Sequence, residues 1–201
     1  MSRVVVKICG ITCFDDAVMA VEAGADALGF NFYPGSPRFT TIEKVAKIVP
    51  KVPQNTLKVG VFVDAGADEI ATIVREAGLD LAQVHGSASG LTVRFWQALS
   101  AGPDLQEKMS ISKAEAFLID TPAGAQRGGT GRSFDWSLVQ GLPGNIVLAG
   151  GLGADNVAEA IRQVRPWGVD ACSRLESAPG RKDAAKVRAL IQAVREVEAG
   201  A

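Results

Sequence analysis

The sequence has little net charge, few cysteines and no long apolar run, and each shortage excludes a class of protein. Among 201 residues, 21 Lys and Arg are balanced by 22 Asp and Glu, so the formal net charge at pH 7 is −1. This balance gives no electrostatic reason to expect nucleic acid or an anionic membrane as a partner. The apolar runs have the length of strands, which predicts no transmembrane helix. The start, "MSRVVVKICG", lacks the apolar core of a signal peptide, so we expect a cytoplasmic protein.

Residues for disulfide and metal chemistry are also scarce. The chain has three cysteines, Cys9, Cys13 and Cys172, and one histidine, His85. The number of cysteines is odd and no C-x-x-C spacing occurs, so neither a disulfide framework nor a zinc site is supported. We therefore expect no metal site.

Short β-branched runs alternate with longer segments of helical period, which is typical of βα units around a parallel sheet. Seven runs are predicted to be strands: "VVVKIC", "ALGFNFY", "LKVGVFV", "LAQVHG", "AFLID", "NIVLAGG" and "GVDACS". The length suits one domain, residues 1–201. We predict "LTVRFWQALSAG" as the fourth helix and "DLQEKMSIS" as the remaining strand. That assignment leaves almost no residues for a fifth helix before Glu115.

An open sheet and a closed barrel would both satisfy this count, and three features favour closure. No G-x-G-x-x-G or G-x-x-x-x-G-K-[ST] fingerprint of open-sheet nucleotide-binding proteins occurs at a strand end. The repeat of about 25 residues fits a (β/α)₈ unit. Polar or reactive residues follow almost every strand, and they are Cys9, Asn31, Asp64, His85, Asp120, Gly150 with Gly151, and Ser173. The sequence thus predicts an α/β protein, a single (β/α)₈ TIM barrel with a shortened fifth βα unit and its chemistry at the carboxyl ends of the strands.

Seven collinear blocks span nearly the whole chain: "VKICGIT", "GADALGFNFYPGSPR", "VGVFV", "QVHG", "FLIDT…GGTGRSFDW", "LAGGL…NV" and "PGRKD". Together they resemble the phosphoribosylanthranilate isomerase family of tryptophan biosynthesis. The resemblance implies a barrel enzyme that needs no cofactor. Its expected partner is a small sugar-phosphate substrate, N-(5-phosphoribosyl)anthranilate, which it converts to 1-(o-carboxyphenylamino)-1-deoxyribulose 5-phosphate by an Amadori rearrangement.

The resemblance gives two residues catalytic roles. Opening the furanose needs a general acid and removing the C2 proton of the Schiff base needs a general base, and the family pattern places these roles on Asp120 and Cys9. On local sequence alone, Cys9 could be a small buried hydrophobe and Asp120 a turn-capping carboxylate. We do not expect Lys7 to lower the pKa of Cys9, because two residues along a strand separate side chains by about 7 Å.

The resemblance also implies residues that bind the substrate. Arg38 would bind the anthranilate carboxylate, whereas its alternative role is that of a solvated loop cation. Barrels commonly bind phosphate through backbone N–H groups after strands seven and eight. These expected phosphate-binding residues are Gly150, Gly151, Cys172 and Ser173. The glycines of "GGTG", Gly128, Gly129 and Gly131, are predicted to cover the site, while His85 is interpreted as structural.

Two features depart from the family pattern. After strand eight the family usually has Ser-Ser-Gly-Val-Glu, whereas this chain has Cys172, Ser173, Arg174, Leu175 and Glu176. If the family glycine is required for a positive φ, Arg174 would strain the loop at that position. Alternatively, the guanidinium of Arg174 could contact the phosphate. The shortened fifth unit would expose one flank of the barrel, which predicts low stability or a homodimer. A barrel that only binds a sugar phosphate, or an isomerase of a related aminated sugar phosphate, remains an alternative.

Overall fold

The computed structural model describes residues 3–120 and 135–200, and eight parallel strands form its closed barrel. The strands are β1 Val5–Cys9, β2 Ala27–Asn31, β3 Leu57–Val63, β4 Leu81–His85, β5 Phe95–Ser100, β6 Ala116–Asp120, β7 Ile146–Leu148 and β8 Gly168–Ala171. Each strand pairs with the next, and β8 pairs back with β1 through the register partners Ile8 and Ala171. The predicted (β/α)₈ barrel is therefore confirmed.

Six helices accompany the strands in the described part of the chain. They are α1 Phe14–Glu22, α2 Ile42–Ile48, α3 Ala67–Glu76, α4 Leu105–Ile111, α5 Val157–Val164 and α6 Ala184–Ala199. Three 3₁₀ turns lie at Val49–Lys51, Trp136–Val139 and Ser173–Leu175, and a small hairpin consists of β9 Glu176–Ala178 and β10 Arg181–Lys182. No helix within residues 3–120 or 135–200 is long and apolar enough to cross a membrane.

The shortened βα unit is the fourth and not the fifth, so this part of the sequence prediction was wrong. "FWQALS", predicted within the fourth helix, is strand β5, and most of "DLQEKMSIS", predicted as a strand, is helix α4. The fourth unit passes from His85 to Phe95 without a helix. Apolar side chains of its loop, among them Leu91 and Val93, pack against the core in place of a helix.

Side chains alternate between two apolar cores along each strand. One core lies between the strands and the helices, where Val6, Ile8 and Val169 are fully buried. The other fills the barrel interior and includes Leu81, Trp96 and Val147. Because alternation has a period of two, Lys7 and Cys9 on β1 both point to the interior.

Candidate active site

A cavity of about 420 Å³ opens at the carboxyl ends of the strands. Its lining includes Cys9, Arg38, Asp120 and Cys172, so the barrel brings together the four polar side chains predicted from β1, the loop after β2, β6 and the segment after β8. Asn31, Asp64, Gln83, His85, Ser100 and Asp170 also line it. The predicted loop glycines Gly128, Gly129 and Gly131 lie outside the described residues.

Cys9 and Cys172 form a thiol pair on this lining. Both cysteines are unpaired by disulfide, and their side chains are joined by a hydrogen bond. Donation from Cys172 is the largest effect on Cys9, and with the charges of Lys7 and Lys182 it lowers the pKa of the Cys9 thiol to about 7 despite burial. The same contact, together with burial, raises the pKa of Cys172. Cys9 is therefore the thiol of the pair that ionises near neutral pH.

A buried ion pair stands beside this thiol. Nζ of Lys7 lies 2.8 Å from Oδ1 of Asp170, and the Lys7 side chain has no exposed surface. Burial alone would lower the pKa of Lys7, but Asp170 and Cys9 outweigh it and raise that pKa. Lys7 does help to lower the pKa of Cys9, so the contrary expectation from strand spacing was wrong. The flexible side chain brings its ammonium back toward Cys9 in surroundings where charge is weakly screened.

Gly29 on β2 makes this close arrangement possible. A Cβ placed on Gly29 would lie 2.8 Å from the Cys9 sulfur and 3.0 Å from Nζ of Lys7. Gly29 is also the register partner of Cys9 across the β1–β2 pair. The missing side chain therefore provides the space that the thiol and the ammonium share.

Arg38 is held in place by Glu176. Its Nε and Nη2 each donate to one carboxylate oxygen of Glu176 at 2.8 Å, and only 14% of the Arg38 side chain is exposed. Burial favours the neutral form of Glu176, but hydrogen bonds from Arg38 and Lys182 outweigh it and lower its pKa. This geometry excludes the alternative of a solvated loop cation. Nη1 of Arg38 takes no part in the pair with Glu176 and can serve a ligand in the cavity.

Lys182 connects the Arg38 pair to the thiols. Its Nζ lies 2.9 Å from Oε1 of Glu176, 3.2 Å from the Cys172 carbonyl oxygen and 3.8 Å from the Cys172 sulfur. The hairpin of β9 and β10 supplies both Glu176 and Lys182. The hairpin therefore links Arg38, the predicted carboxylate-binding residue, to the thiol pair that contains Cys9, the predicted base.

His85 lies on the cavity wall at the end of β4. Its Nε2 is 3.0 Å from the amide nitrogen of Gln83. Burial, assisted by the charge of Lys7, lowers the pKa of His85 to about 4. The imidazole is therefore neutral near pH 7. His85 lines the cavity, whereas the sequence was interpreted as giving it a structural role.

The predicted phosphate-binding residues are divided between the cavity and its rim. Gly150 and Gly151 have φ values of +89° and +64°, which glycine adopts without strain, and they form the turn after β7. Asn156 fixes that turn, because its side chain donates to the Gly151 carbonyl and accepts from the Gly153 N–H. Ser173 begins the 3₁₀ turn after β8. Cys172 differs from these residues because its sulfur contacts Cys9.

Arg174 is unstrained, contrary to the sequence expectation. The positive-φ residues other than glycine in the described part of the chain are Asp64 and Arg165, and Arg174 lies in the 3₁₀ turn Ser173–Leu175. Its Nη2 lies 2.8 Å from Oδ2 of Asp155, and its Nη1 donates to the Gly151 carbonyl at 3.1 Å. The guanidinium thus joins the turn after β8 to the turn after β7.

The polar residues of the site that were missed from sequence include Lys7, Asp170, Glu176 and Lys182. A charged residue within an otherwise apolar strand is a signal for a buried, paired charge, and "VVVKIC" and "GVDACS" each contain one. Pairing of Arg38 with Glu176 joins residues 138 positions apart. No local pattern indicates such a contact.

A closed parallel barrel whose strand ends hold a thiol, a carboxylate and a guanidinium around one cavity defines a (β/α)₈-barrel enzyme with its active site at the carboxyl face. Residues 6–193 match the family model described as N-(5'phosphoribosyl)anthranilate (PRA) isomerase. The chain belongs to this family.

Individual relatives agree with the family match. The N-(5'-phosphoribosyl)anthranilate isomerase of Solibacter usitatus is 45% identical over 95% of this chain and 97% of its own. The phosphoribosyl anthranilate isomerase structure from Thermotoga maritima is 34% identical, covers 96% of this chain and 99% of its own, and superposes with a TM-score of 0.88. A structure of the isomerase with reduced 1-(o-carboxyphenylamino)-1-deoxyribulose 5-phosphate is 33% identical, covers 96% of this chain and 99% of its own, and gives a TM-score of 0.85.

Proposed function

We propose that this protein converts N-(5-phosphoribosyl)anthranilate to 1-(o-carboxyphenylamino)-1-deoxyribulose 5-phosphate in tryptophan biosynthesis. The observation that carries the proposal is the Cys9 thiol, with a pKa of about 7, on the same cavity as Asp120 and Arg38. A base that is partly ionised at neutral pH suits proton abstraction next to an iminium carbon.

The reaction follows from two proton transfers. Asp120 gives a proton to the furanose ring oxygen while the anilino nitrogen lone pair forms the C1=N bond, and the C1–O bond breaks. The Cys9 thiolate then removes the C2 proton, and the electron pair of that C–H bond forms the C1=C2 bond of an enolamine. Tautomerisation of the enolamine gives the ketone at C2. No oxidant or reductant is consumed, because the substrate gains one proton and loses one, and C1 is reduced as C2 is oxidised.

Substrate binding is proposed for the remaining predicted residues. Arg38, oriented by Glu176, would receive the anthranilate carboxylate through its planar guanidinium. The backbone N–H groups near Gly150, Gly151 and Ser173 would receive the phosphate, with Cys172 contributing its backbone only. Gly128, Gly129 and Gly131 remain a predicted cover for the site.

The test is the fluorescence decrease of N-(5-phosphoribosyl)anthranilate, generated in situ from anthranilate and phosphoribosyl pyrophosphate by a separate phosphoribosyltransferase. We expect catalysed loss of fluorescence and a product that co-elutes with authentic 1-(o-carboxyphenylamino)-1-deoxyribulose 5-phosphate. A protein that binds this substrate without accelerating its loss would instead be a binding barrel. Turnover of only another aminated sugar phosphate would reassign the substrate.

We also propose that the enzyme is cytoplasmic and forms a homodimer. One related structure, 33% identical with a TM-score of 0.85, is of monomers generated from the dimeric Thermotoga maritima enzyme. Light scattering after size exclusion tests the assembly: a mass near twice 21.0 kDa is expected, and a mass near 21.0 kDa at all concentrations would contradict it.

A further inference from the structure

Cys172 is placed to react with Cys9. The two side chains share a hydrogen bond, and both residues line the cavity. The Cys172 sulfur also lies 3.0 Å from the point where a Cβ on Gly10, the residue after Cys9, would be. The two side chains are therefore neighbours on the lining of one cavity.

The pairing of β1 with β8 brings the two cysteines close together. β1 and β8 are parallel neighbours, and the register partner of Ile8 is Ala171, the last residue of β8, so Cys9 and Cys172 each directly follow a paired residue. Neighbouring parallel strands lie about 4.8 Å apart, and disulfides join Cα atoms separated by about 4.4 to 6.8 Å. The spacing of neighbouring strands therefore falls within the range of Cα separations that a disulfide joins.

We propose that Cys9 and Cys172 are a modification site, at which hydrogen peroxide forms a reversible disulfide. The chemistry needs one nucleophilic thiolate and one resolving thiol. The lowered pKa of Cys9 makes it the nucleophile, and Cys172 is the resolving thiol beside it.

The steps balance with the peroxide as oxidant. The Cys9 thiolate attacks one peroxide oxygen, the O–O bond breaks, and hydroxide leaves, which gives a sulfenic acid on Cys9. The hydroxide takes the Cys172 proton, and the resulting thiolate attacks the Cys9 sulfur. The S–O bond breaks as the S–S bond forms, and the second oxygen leaves as hydroxide and is protonated to water. The two sulfurs together lose two electrons, and the peroxide is reduced to water.

Loss of catalysis on oxidation rests on the proposed function, because the disulfide removes the thiolate that acts as base. Formation of the disulfide does not rest on it. The bond is expected to be reversed by dithiothreitol through thiol–disulfide exchange.

The experiment uses the full chain with Cys13→Ser, so that Cys9 and Cys172 are the remaining cysteines. Reduced protein is treated with hydrogen peroxide and analysed by intact mass, by thiol titration after denaturation and by peptide mapping. We expect loss of two hydrogen atoms, complete loss of titratable thiols and a linked pair of peptides containing Cys9 and Cys172. Dithiothreitol should restore both thiols and the initial rate of the isomerase assay.

The matched control is Cys172→Ser in the same background, which keeps a hydroxyl beside Cys9 but removes the resolving thiol. There we expect oxygen to be added to Cys9, with activity increasingly resistant to dithiothreitol as sulfinic acid forms. The proposal is overturned if oxygen is added to Cys9 while Cys172 stays reduced, or if both thiols resist peroxide that oxidises the control. A disulfide that leaves turnover unchanged would support the modification site and contradict the role of Cys9 as base.

Discussion

Cys9 shows how neighbouring groups change the ionisation of one residue type. Burial opposes ionisation of its thiol, whereas the hydrogen bond from Cys172 and the charge of Lys7 favour it. Asp170 pairs with Lys7 and partly cancels its charge at the sulfur. The local sequence permits both a buried hydrophobe and a base. These contacts across β1, β2 and β8 favour the base.

The pH dependence of kcat/KM should report the ionisation of Cys9. Because the base must be the thiolate, we expect kcat/KM to fall about tenfold per pH unit below pH 7 over the range in which Asp120 is protonated. Cys172→Ala removes the donor that stabilises the thiolate, so the pKa of Cys9 rises and the acidic limb moves to higher pH. The measurement is the initial rate at low substrate across a pH series.

Cys172→Ser is the control for that shift, because a hydroxyl can also donate to the thiolate. Its acidic limb should move less than that of Cys172→Ala. An acidic limb at the same pH in wild type and Cys172→Ala would contradict the role given to Cys172.

Arg38 should act in binding more than in the chemical step. A guanidinium that holds the substrate carboxylate in both ground and transition states contributes uniform binding, so Arg38→Ala should raise KM about tenfold or more with a smaller effect on kcat. Steady-state kinetics of the isomerase reaction measure both constants.

Arg94 provides a matched control, because it forms the same two-bond pair with Glu115 but lies away from the cavity. Arg94→Ala should leave KM and kcat near wild type. If Arg38→Ala changes kcat alone, Arg38 acts in the chemical step and not in substrate binding.

Among the secondary-structure elements, the fourth and fifth βα units show where the sequence prediction was wrong. A short, mostly apolar run such as "FWQALS" fits a buried strand or a buried helix, and periodicity alone cannot separate them. Leu105 and Met109 are buried four residues apart on α4, which is a helical spacing that was overlooked in "DLQEKMSIS". The other strands were predicted correctly because β-branched residues and flanking glycines mark them.

Gly29 on β2 should be intolerant of a side chain. A Cβ there would lie 2.8 Å from the Cys9 sulfur and 3.1 Å from the Cys9 Cα, so Gly29→Ala must displace β1 side chains or backbone. We expect a loss of about 1 to 3 kcal/mol in the free energy of unfolding, together with reduced kcat. Urea unfolding and the fluorescence assay measure these effects.

Gly66 is the control for this substitution, since no atom lies within 4 Å of its Cβ position and its φ is −72°. Gly66→Ala should change stability much less than Gly29→Ala and should leave kcat unchanged. Equal stability and kcat in Gly29→Ala and wild type would show that the space at Gly29 is not required.

Arg174 joins the turns after β7 and β8, so its removal should weaken phosphate binding. The sequence alone suggested the opposite, that a glycine would relieve strain, but the backbone of Arg174 is unstrained. Arg174→Gly loses the contacts to Gly151 and Asp155, and we expect KM to rise about threefold to tenfold, equivalent to roughly 1 kcal/mol. Inhibition by inorganic phosphate should weaken in parallel.

Arg174→Lys keeps a cation without the contacts to both turns, so its KM should lie between those of the wild type and Arg174→Gly. A lower KM or stronger phosphate inhibition in Arg174→Gly would contradict this account.

In the whole molecule, barrel closure determines which residues meet. The alternation of strands and helices predicts the closed barrel. A closed barrel in turn predicts that Cys9, Arg38, Asp120 and Cys172 lie together at its carboxyl face. The pairs Lys7–Asp170, Arg38–Glu176 and Lys182–Glu176 depend on side-chain reach and on residues distant in sequence. Local periodicity carries no information about such contacts.

The central claim is that Cys9 and Asp120 are the base and the acid of one reaction. General acid–base catalysis is worth about 10²-fold or more, so Cys9→Ala and Asp120→Asn should each lower kcat by that factor. Urea unfolding should establish that both variants remain folded, and Cys13→Ala should retain wild-type activity. The deciding measurement is kcat for loss of N-(5-phosphoribosyl)anthranilate fluorescence at saturating substrate. We predict a decrease of about 10²-fold or more in each folded variant, and wild-type turnover in either one would contradict the mechanism.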